Sequence, residues 1–164
     1  LLKKAWQIVD GTLGLYGIET SMSDLGLTHV ALPVTDINTS IAFYQKYAHM
    51  DVVHRRTKED GHDVVWITDQ TRPFVIVLLQ KPNVEHRLLA PAHLGIACKS
   101  REEVDRLCQE ARMEGRLEDG PVEAGDPVGY WAFLTDPDGH ILELSYGQKV
   151  AFTVEQARRG GSSL

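Results

Sequence analysis

Cysteine is scarce in this chain, with only Cys98 and Cys108 among 164 residues. Two cysteines cannot build the disulfide framework of a small secreted domain. Cys98 falls in a strand candidate and Cys108 on the apolar side of a helix candidate. Both are expected as small buried hydrophobes in a reducing, cytoplasmic compartment. Long apolar runs are also missing. No stretch approaches the roughly 18 residues that cross a bilayer, so no membrane partner is expected. Lys3 and Lys4 precede an apolar stretch, but Gln7, Asp10 and Gly11 interrupt it and no small-residue cleavage pattern follows. It does not read as a secretory signal. Basic charge is in the minority, with 17 Lys and Arg against 23 Asp and Glu and a formal net charge of -6. Such a chain repels phosphate backbones, and no nucleic-acid partner is expected.

What is present suits one core and one domain, with 43% hydrophobic residues. Residues 1–24 read as an N-terminal appendage. Leu2, Trp6 and Val9 line one face of an expected short helix, followed by the Gly-rich stretch Gly11 to Gly17. Met22-Ser23-Asp24 has the form of an ordinary start, which marks the first 21 residues as a leader or an added segment. From Leu27 the pattern is regular. Thr28 to Val34 alternates as a strand. Asp36 can cap a helix carrying Ile37, Ile41, Tyr44 and Ala48. Strands are expected at Asp51 to Arg55, Asp63 to Thr68 and Phe74 to Leu79, with Asp60-Gly61 as a turn.

The order then repeats. Ala92 to Cys98 is an expected strand. Ser100 and Glu103 form a capping box before a helix with Val104, Leu107, Cys108 and Ala111, which Gly115 can end. Strands are expected near Leu117 to Pro121, Gly129 to Leu134 and Ile141 to Tyr146, the last two joined by the tight turn Asp136-Pro137-Asp138-Gly139. Each half reads βαβββ. His29 and His93 stand 64 residues apart, and Val77 and Glu143 stand 66 apart, as in a duplicated unit. Residues 148–164 read as a C-terminal tail with one short helical turn.

His29 shares its strand face with Ala31, and His93 shares its own with Gly95 and Ala97, which leaves room beside both rings. Glu143 interrupts an apolar run, and a buried carboxylate needs a counter-charge. Two imidazoles and one carboxylate make a facial metal-ligand set with open positions. Taken singly, a strand histidine reads equally as a hydrogen-bonded core residue, and a strand glutamate as a solvated one. Tyr130 and Trp131 are expected at the mouth of the site as substrate contacts. His140 is expected at the surface, His54, His62 and His86 in solvent, and His49 at a helix cap.

Four segments together resemble the vicinal-oxygen-chelate superfamily, which includes glyoxalase I, extradiol dioxygenases, and fosfomycin- and bleomycin-resistance proteins. They are Leu27-Thr28-His29-Val30-Ala31-Leu32-Pro33-Val34 with Asp36, Ser40-Ile41-Ala42-Phe43-Tyr44, Ala92-His93-Leu94-Gly95-Ile96, and the run from Phe133 to Leu144. Asp136-Pro137-Asp138-Gly139 with Glu143 is the most specific piece. The resemblance spans residues 25–147. It implies an α+β fold in which two paired βαβββ modules, 27–81 and 91–146, form a U-shaped, barrel-like mixed sheet around a metal site. It implies His29, His93 and Glu143 as ligands of one divalent metal, Fe2+ or Mn2+ ahead of Ni2+ and Zn2+. It also implies a homodimer. Two half-open curved sheets must meet to enclose a metal, either within one chain or by exchange between two; in the exchanged form His29 of one subunit meets His93 and Glu143 of the other.

Departures narrow the expected chemistry. Where glyoxalase I carries a fourth ligand, a glutamate that also moves the proton, this chain has Val77. Extradiol dioxygenases keep a histidine near the position of Leu78 and a tyrosine near that of Phe133. The fosfomycin enzymes carry a threonine where Ala31 stands. The expected function is a metal-dependent enzyme acting on a small organic substrate chelated through vicinal oxygens, with a dioxygenase-like ligand set. A metal-independent drug-binding protein and a glyoxalase-type lyase are the alternatives. No general base is assigned.

Overall fold

In a computed structural model, residues 24–160 are described, together with the backbone pairing of β1 (Gln7–Val9) and β2 (Thr12–Gly14). That short antiparallel hairpin stands where a helix through Val9 was expected; Leu2 and Trp6 lie outside the described residues.

The first module runs β3 (His29–Val34), α1 (Ile37–Ala48), β4 (Asp51–Thr57), β5 (Asp63–Thr68) and β6 (Val75–Gln80). The second runs β7 (Leu94–Ala97), α2 (Arg101–Met113), β8 (Leu117–Glu123), β9 (Tyr130–Thr135) and β10 (Ile141–Tyr146). The sheets are ordered β3-β6-β5-β4 and β7-β10-β9-β8, with the first and last strand of each module parallel and the other pairs antiparallel. The α+β pair of βαβββ modules is therefore present. Among the described residues no strand of one four-stranded sheet pairs with the other, and neither sheet closes into a barrel.

Local chemistry sets the elements. Asp36 caps α1 by accepting from Thr39 N at 2.7 Å, and His49 ends it in the left-handed conformation at φ 52°. Ser100 Oγ accepts from Glu103 N at 3.2 Å. The return half of that box lands one residue early, on Lys99 N at 2.6 Å. The turn bond from Ala92 N to Leu89 O holds residues 89–92 out of the sheet, so β7 begins later than its apolar pattern suggested. After β10, α3 (Val150–Arg159) is a ten-residue helix rather than one short turn. No helix among the described residues is long and apolar enough to cross a membrane.

Alternation puts Leu32, Val34, Ile76, Leu78, Ala132, Leu134, Leu142 and Leu144 on the helix-facing sides of the two sheets, where they join Phe43, Tyr47, Val104 and Leu107 in one core. Cys98 and Cys108 are both free and buried, and burial pushes their thiols up to about 12 and about 11.

A polar clamp fastens the halves beside this core. Asp138 accepts from Thr35 N at 3.0 Å and from Thr35 Oγ1 at 2.6 Å. Asp136 accepts from the Tyr44 hydroxyl at 3.0 Å. His140 accepts from Leu88 N at Nδ1, so its Nε2–H donates to the Pro33 carbonyl at 2.8 Å. The surface placement expected for His140 is thus corrected: it is 1% exposed, because both ring nitrogens are needed by backbone groups of other segments. Lys46 reaches Glu110 and Glu114 across the same boundary, at 2.9 and 2.6 Å.

Candidate metal centre

The strand registers align the modules residue by residue. Ala31 stands opposite Val77 in the first, and Gly95 opposite Glu143 in the second. His29 and His93 each precede the small residue by two positions. Val77 is therefore the structural counterpart of Glu143, and the first module offers no carboxylate there.

In the second module His93 and Glu143 meet, with Nε2 and Oε2 3.3 Å apart. His93 Nδ1 lies 2.7 Å from the Pro91 carbonyl. A carbonyl can only accept, so Nδ1 bears a hydrogen and donates, which turns Nε2 toward Glu143. Glu143 is 6% exposed between apolar neighbours, and its Oε1 accepts from Gln148 Nε2 at 2.7 Å. Gly95 keeps the space above it open, since a Cβ there would stand 3.6 Å from Oε1. Phe133, directly opposite Glu143 in β9, packs its ring 5.0 Å from His93. Trp131 follows at 4.6 Å from Phe133 and extends an aromatic wall along the same face.

Tyr130 belongs to the other face. It pairs with Tyr146 and alternates with Trp131, so it points toward α2. Its hydroxyl donates to Asp105 at 2.5 Å, and the Arg101 guanidinium lies 4.1 Å from its ring centre. The Asp105 bond, with some burial, pushes the phenol up to about 12. The expectation that Tyr130 and Trp131 face substrate together is corrected for Tyr130, since consecutive strand residues point to opposite faces. Trp131 alone shares the His93 side.

His29 lies elsewhere. With Ala31, Val64, Trp66 and Val77 it lines a cleft of about 640 Å³ on the outer face of the first sheet, and its Nδ1 stands 3.0 Å from Thr28 Oγ1. Among the described residues no three His, Cys, Asp or Glu side chains converge on one point. One chain thus unites two of the three expected ligands and leaves the third on a separate open face.

The His93–Glu143 pair fits a metal by its own chemistry. A cation between Nε2 and Oε2, whether a proton or a metal ion, satisfies both groups. Their 3.3 Å separation suits two ligands each about 2.1 Å from one ion. A Nδ1–H donated to a carbonyl is the usual orienting bond of a metal-bound imidazole. Sequence reasoning did not find Gln148. The one available signal was that a buried Glu143 needs a partner, and nothing in the pattern named which.

The model of the glyoxalase/bleomycin resistance protein/dioxygenase superfamily matches residues 26–144. An uncharacterized protein of Pseudomonas aeruginosa is 40% identical over 127 residues, covering 74% of this chain and 89% of that protein. Lactoylglutathione lyase of Escherichia coli O157:H7 is 33% identical over 126 residues, covering 72% and 90%. Among solved structures, a point mutant of the fosfomycin resistance protein FosX of Listeria monocytogenes, complexed with Mn(II) and 1S,2S-dihydroxypropylphosphonic acid, superposes with a TM-score of 0.62. It is 18% identical and covers 80% of this chain and 99% of that one. The match across both modules, with a curated relative above 30% identity, means that this chain belongs to the glyoxalase/bleomycin resistance protein/dioxygenase superfamily, the vicinal-oxygen-chelate proteins.

Proposed function

We propose that this protein is a metal-dependent enzyme that binds a small organic substrate through vicinal oxygens, with His29, His93 and Glu143 as ligands of one divalent metal, Fe2+ or Mn2+ ahead of Ni2+ and Zn2+. The observation that carries this reading is the facing of His93 Nε2 and Glu143 Oε2 at 3.3 Å, with the opposite nitrogen of His93 anchored on Pro91. The Mn(II) in the FosX structure and the likeness to lactoylglutathione lyase support it. When bound, the metal supplies Lewis-acid polarisation of the chelated oxygens.

The chain's own residues do the rest. Gln148 holds one carboxylate oxygen of Glu143 and leaves the other aimed at His93. Phe133 and Trp131 wall off water on that face. Val77 offers neither a ligand nor a proton carrier, so the set of two histidines and one glutamate is dioxygenase-like, and glutathione hemithioacetals are poor substrates.

The third ligand comes from a second copy in a homodimer. His29 cannot reach His93 inside one chain while the halves are clamped back to back through Asp138 and His140. Mixing His29→Ala chains with His93→Ala chains tests this, with Mn(II) titration as the readout. After subunit exchange, about a quarter of the binding sites should return, because each mixed dimer holds one complete set. Recovery of none, with exchange confirmed by labelled chains, refutes the shared site. Failure of the unaltered protein to bind Fe(II), Mn(II), Ni(II) or Zn(II) refutes the metal reading itself.

A further inference from the structure

Gln148 donates to Glu143 Oε1 at 2.7 Å, yet it lies between β10 and α3 and belongs to neither. A long side chain loses the freedom of several rotatable bonds when it is held in one place. Its grip on Glu143 therefore depends on a fixed backbone on both sides. The loop between β8 and β9 supplies both fixings.

On one side, Gly147 turns the chain at φ 81°, and the buried Gly129 lies against it. A Cβ on Gly129 would stand 2.4 Å from the Tyr146 carbonyl oxygen, and its φ of 81° is left-handed, so glycine alone permits this approach. On the other side, Lys149 N donates to the Pro127 carbonyl at 3.0 Å, and Lys149 Nζ pairs with Asp126. The loop is also closed on itself. Ala124 N donates to Gly129 O at 2.9 Å, and Gly129 N donates to Gly125 O at 2.7 Å. Gln148 is thus strung between two neighbours that both rest on residues 126–129.

The first module supplies an internal contrast. The 66-residue spacing that sets Val77 on Glu143 also sets Pro82 on Gln148. Proline carries no side-chain donor. The carboxylate and the donor that holds it therefore occur in the same module, and the other module has neither at the matching positions.

We propose that residues 124–129 are a brace for the metal site. Gly129, by its close approach to residues 146–148, and Asp126, by its ion pair with Lys149, hold Gln148 on Glu143 Oε1 and leave Oε2 for His93 and the ion. They are positioning residues that act through Gln148. The effect on metal rests on the proposed metal reading; the hold on Gln148 does not.

The first measurement uses the isotope-labelled full chain in chelator, so that metal plays no part. The side-chain amide of Gln148, assigned by its loss in Gln148→Leu, is followed by NMR. It should relax with the rigid backbone in the unaltered chain. In Gly129→Ala it should become mobile and move to the shift of a free glutamine. Asp126→Ala with Lys149→Ala, two exposed positions, should move it part of the way and decides the matter if Gly129→Ala does not fold in a thermal melt. Gly61→Ala is the control: it imposes the same φ of 81° where a Cβ meets nothing within 4 Å, and it should leave the amide unmoved. The second measurement is Mn(II) affinity. Gly129→Ala should weaken it about five-fold, against about ten-fold for Gln148→Leu. The two together should be no weaker than Gln148→Leu alone, because the brace acts only through that side chain. A mobile amide in the unaltered chain, an amide unmoved by the brace variants, or additive losses of affinity would overturn the proposal. Absence of metal binding by the unaltered chain would overturn the metal reading, and the amide would still decide the brace.

Discussion

Gly95 opposite Glu143 and Ala31 opposite Val77 are the same place in two copies of one scaffold. The second module turns a carboxylate and an imidazole toward each other there. The first spreads an apolar floor, with Val64, Trp66 and Val77, beside a lone histidine. Both modules keep small residues beside the histidine and bury the same alternate positions against their helices. Duplication thus preserved the half of each strand that makes the core and released the half that faces outward. In the proposed function, one copy supplies two of the three metal ligands, and the other supplies the third from an open apolar face.

The sharpest way to break this contrast is Glu143→Ala. Metal affinity in a titration should fall at least 100-fold, because the variant removes a ligand and leaves His93 Nε2 facing nothing. Nearly unchanged affinity would end the ligand assignment. Asp138→Ala attacks what the modules share, their fastening. It strands the Thr35 N–H and hydroxyl in a part-buried site and should cost about 2–3 kcal/mol in denaturant unfolding. A loss below about 0.5 kcal/mol would show that the clamp does not hold the halves.

Val77→Glu would erase the difference by giving the first module the carboxylate of the second. Metal should bind about ten-fold tighter, and isomerisation of the glutathione hemithioacetal should rise above that of the parent. No change in either would mean that the two positions are not functionally equivalent. Gln148→Leu loosens Glu143 without removing it and should weaken metal binding about ten-fold, with the thermal midpoint little changed.

The smallest expected effect is in acid. Glu110 and Glu114 are held below the ordinary glutamate range, foremost by the hydrogen bond from Lys46. Their contribution is complete above that range and is lost as pH falls through the lowered folded values. Asp136 has the opposite sign. Burial raises its carboxyl, so its contribution is present at the lowest pH and lost as pH rises through the folded value. Replacing Glu110 and Glu114 by Gln should flatten the acid limb of stability by less than about 1 kcal/mol, since both are partly solvated. A steeper limb would reverse the assignment.

Much of the fold was legible because the periods of two and of 3.6 are properties of local sequence. Asp63–Thr68 and Ile141–Tyr146 came out at their expected bounds, and Asp36 and Ser100 cap as their positions require. Tyr130 and His140 mark where this stops. A tyrosine beside a tryptophan gives no sign of which face is the site until its strand is paired. A histidine after a tight turn reads as solvated until Pro33, over 100 residues away in the chain, is found at its Nε2.

The fastening of the halves also bears on symmetry. With their helix-facing sides merged in one core and Asp138 bridging to Thr35, the two modules turn unlike faces away from each other, one with His29 and one with His93 and Glu143. A two-fold axis that brings the first face of each copy onto the second face of the other closes both at once and finishes the assembly at two chains. An operator that joins one such pair of faces at a time passes the contact from copy to copy, and unless the rotation returns on itself it adds subunits without limit. If the proposed shared site is built, the angle between the two outward faces decides between a closed dimer and an open filament.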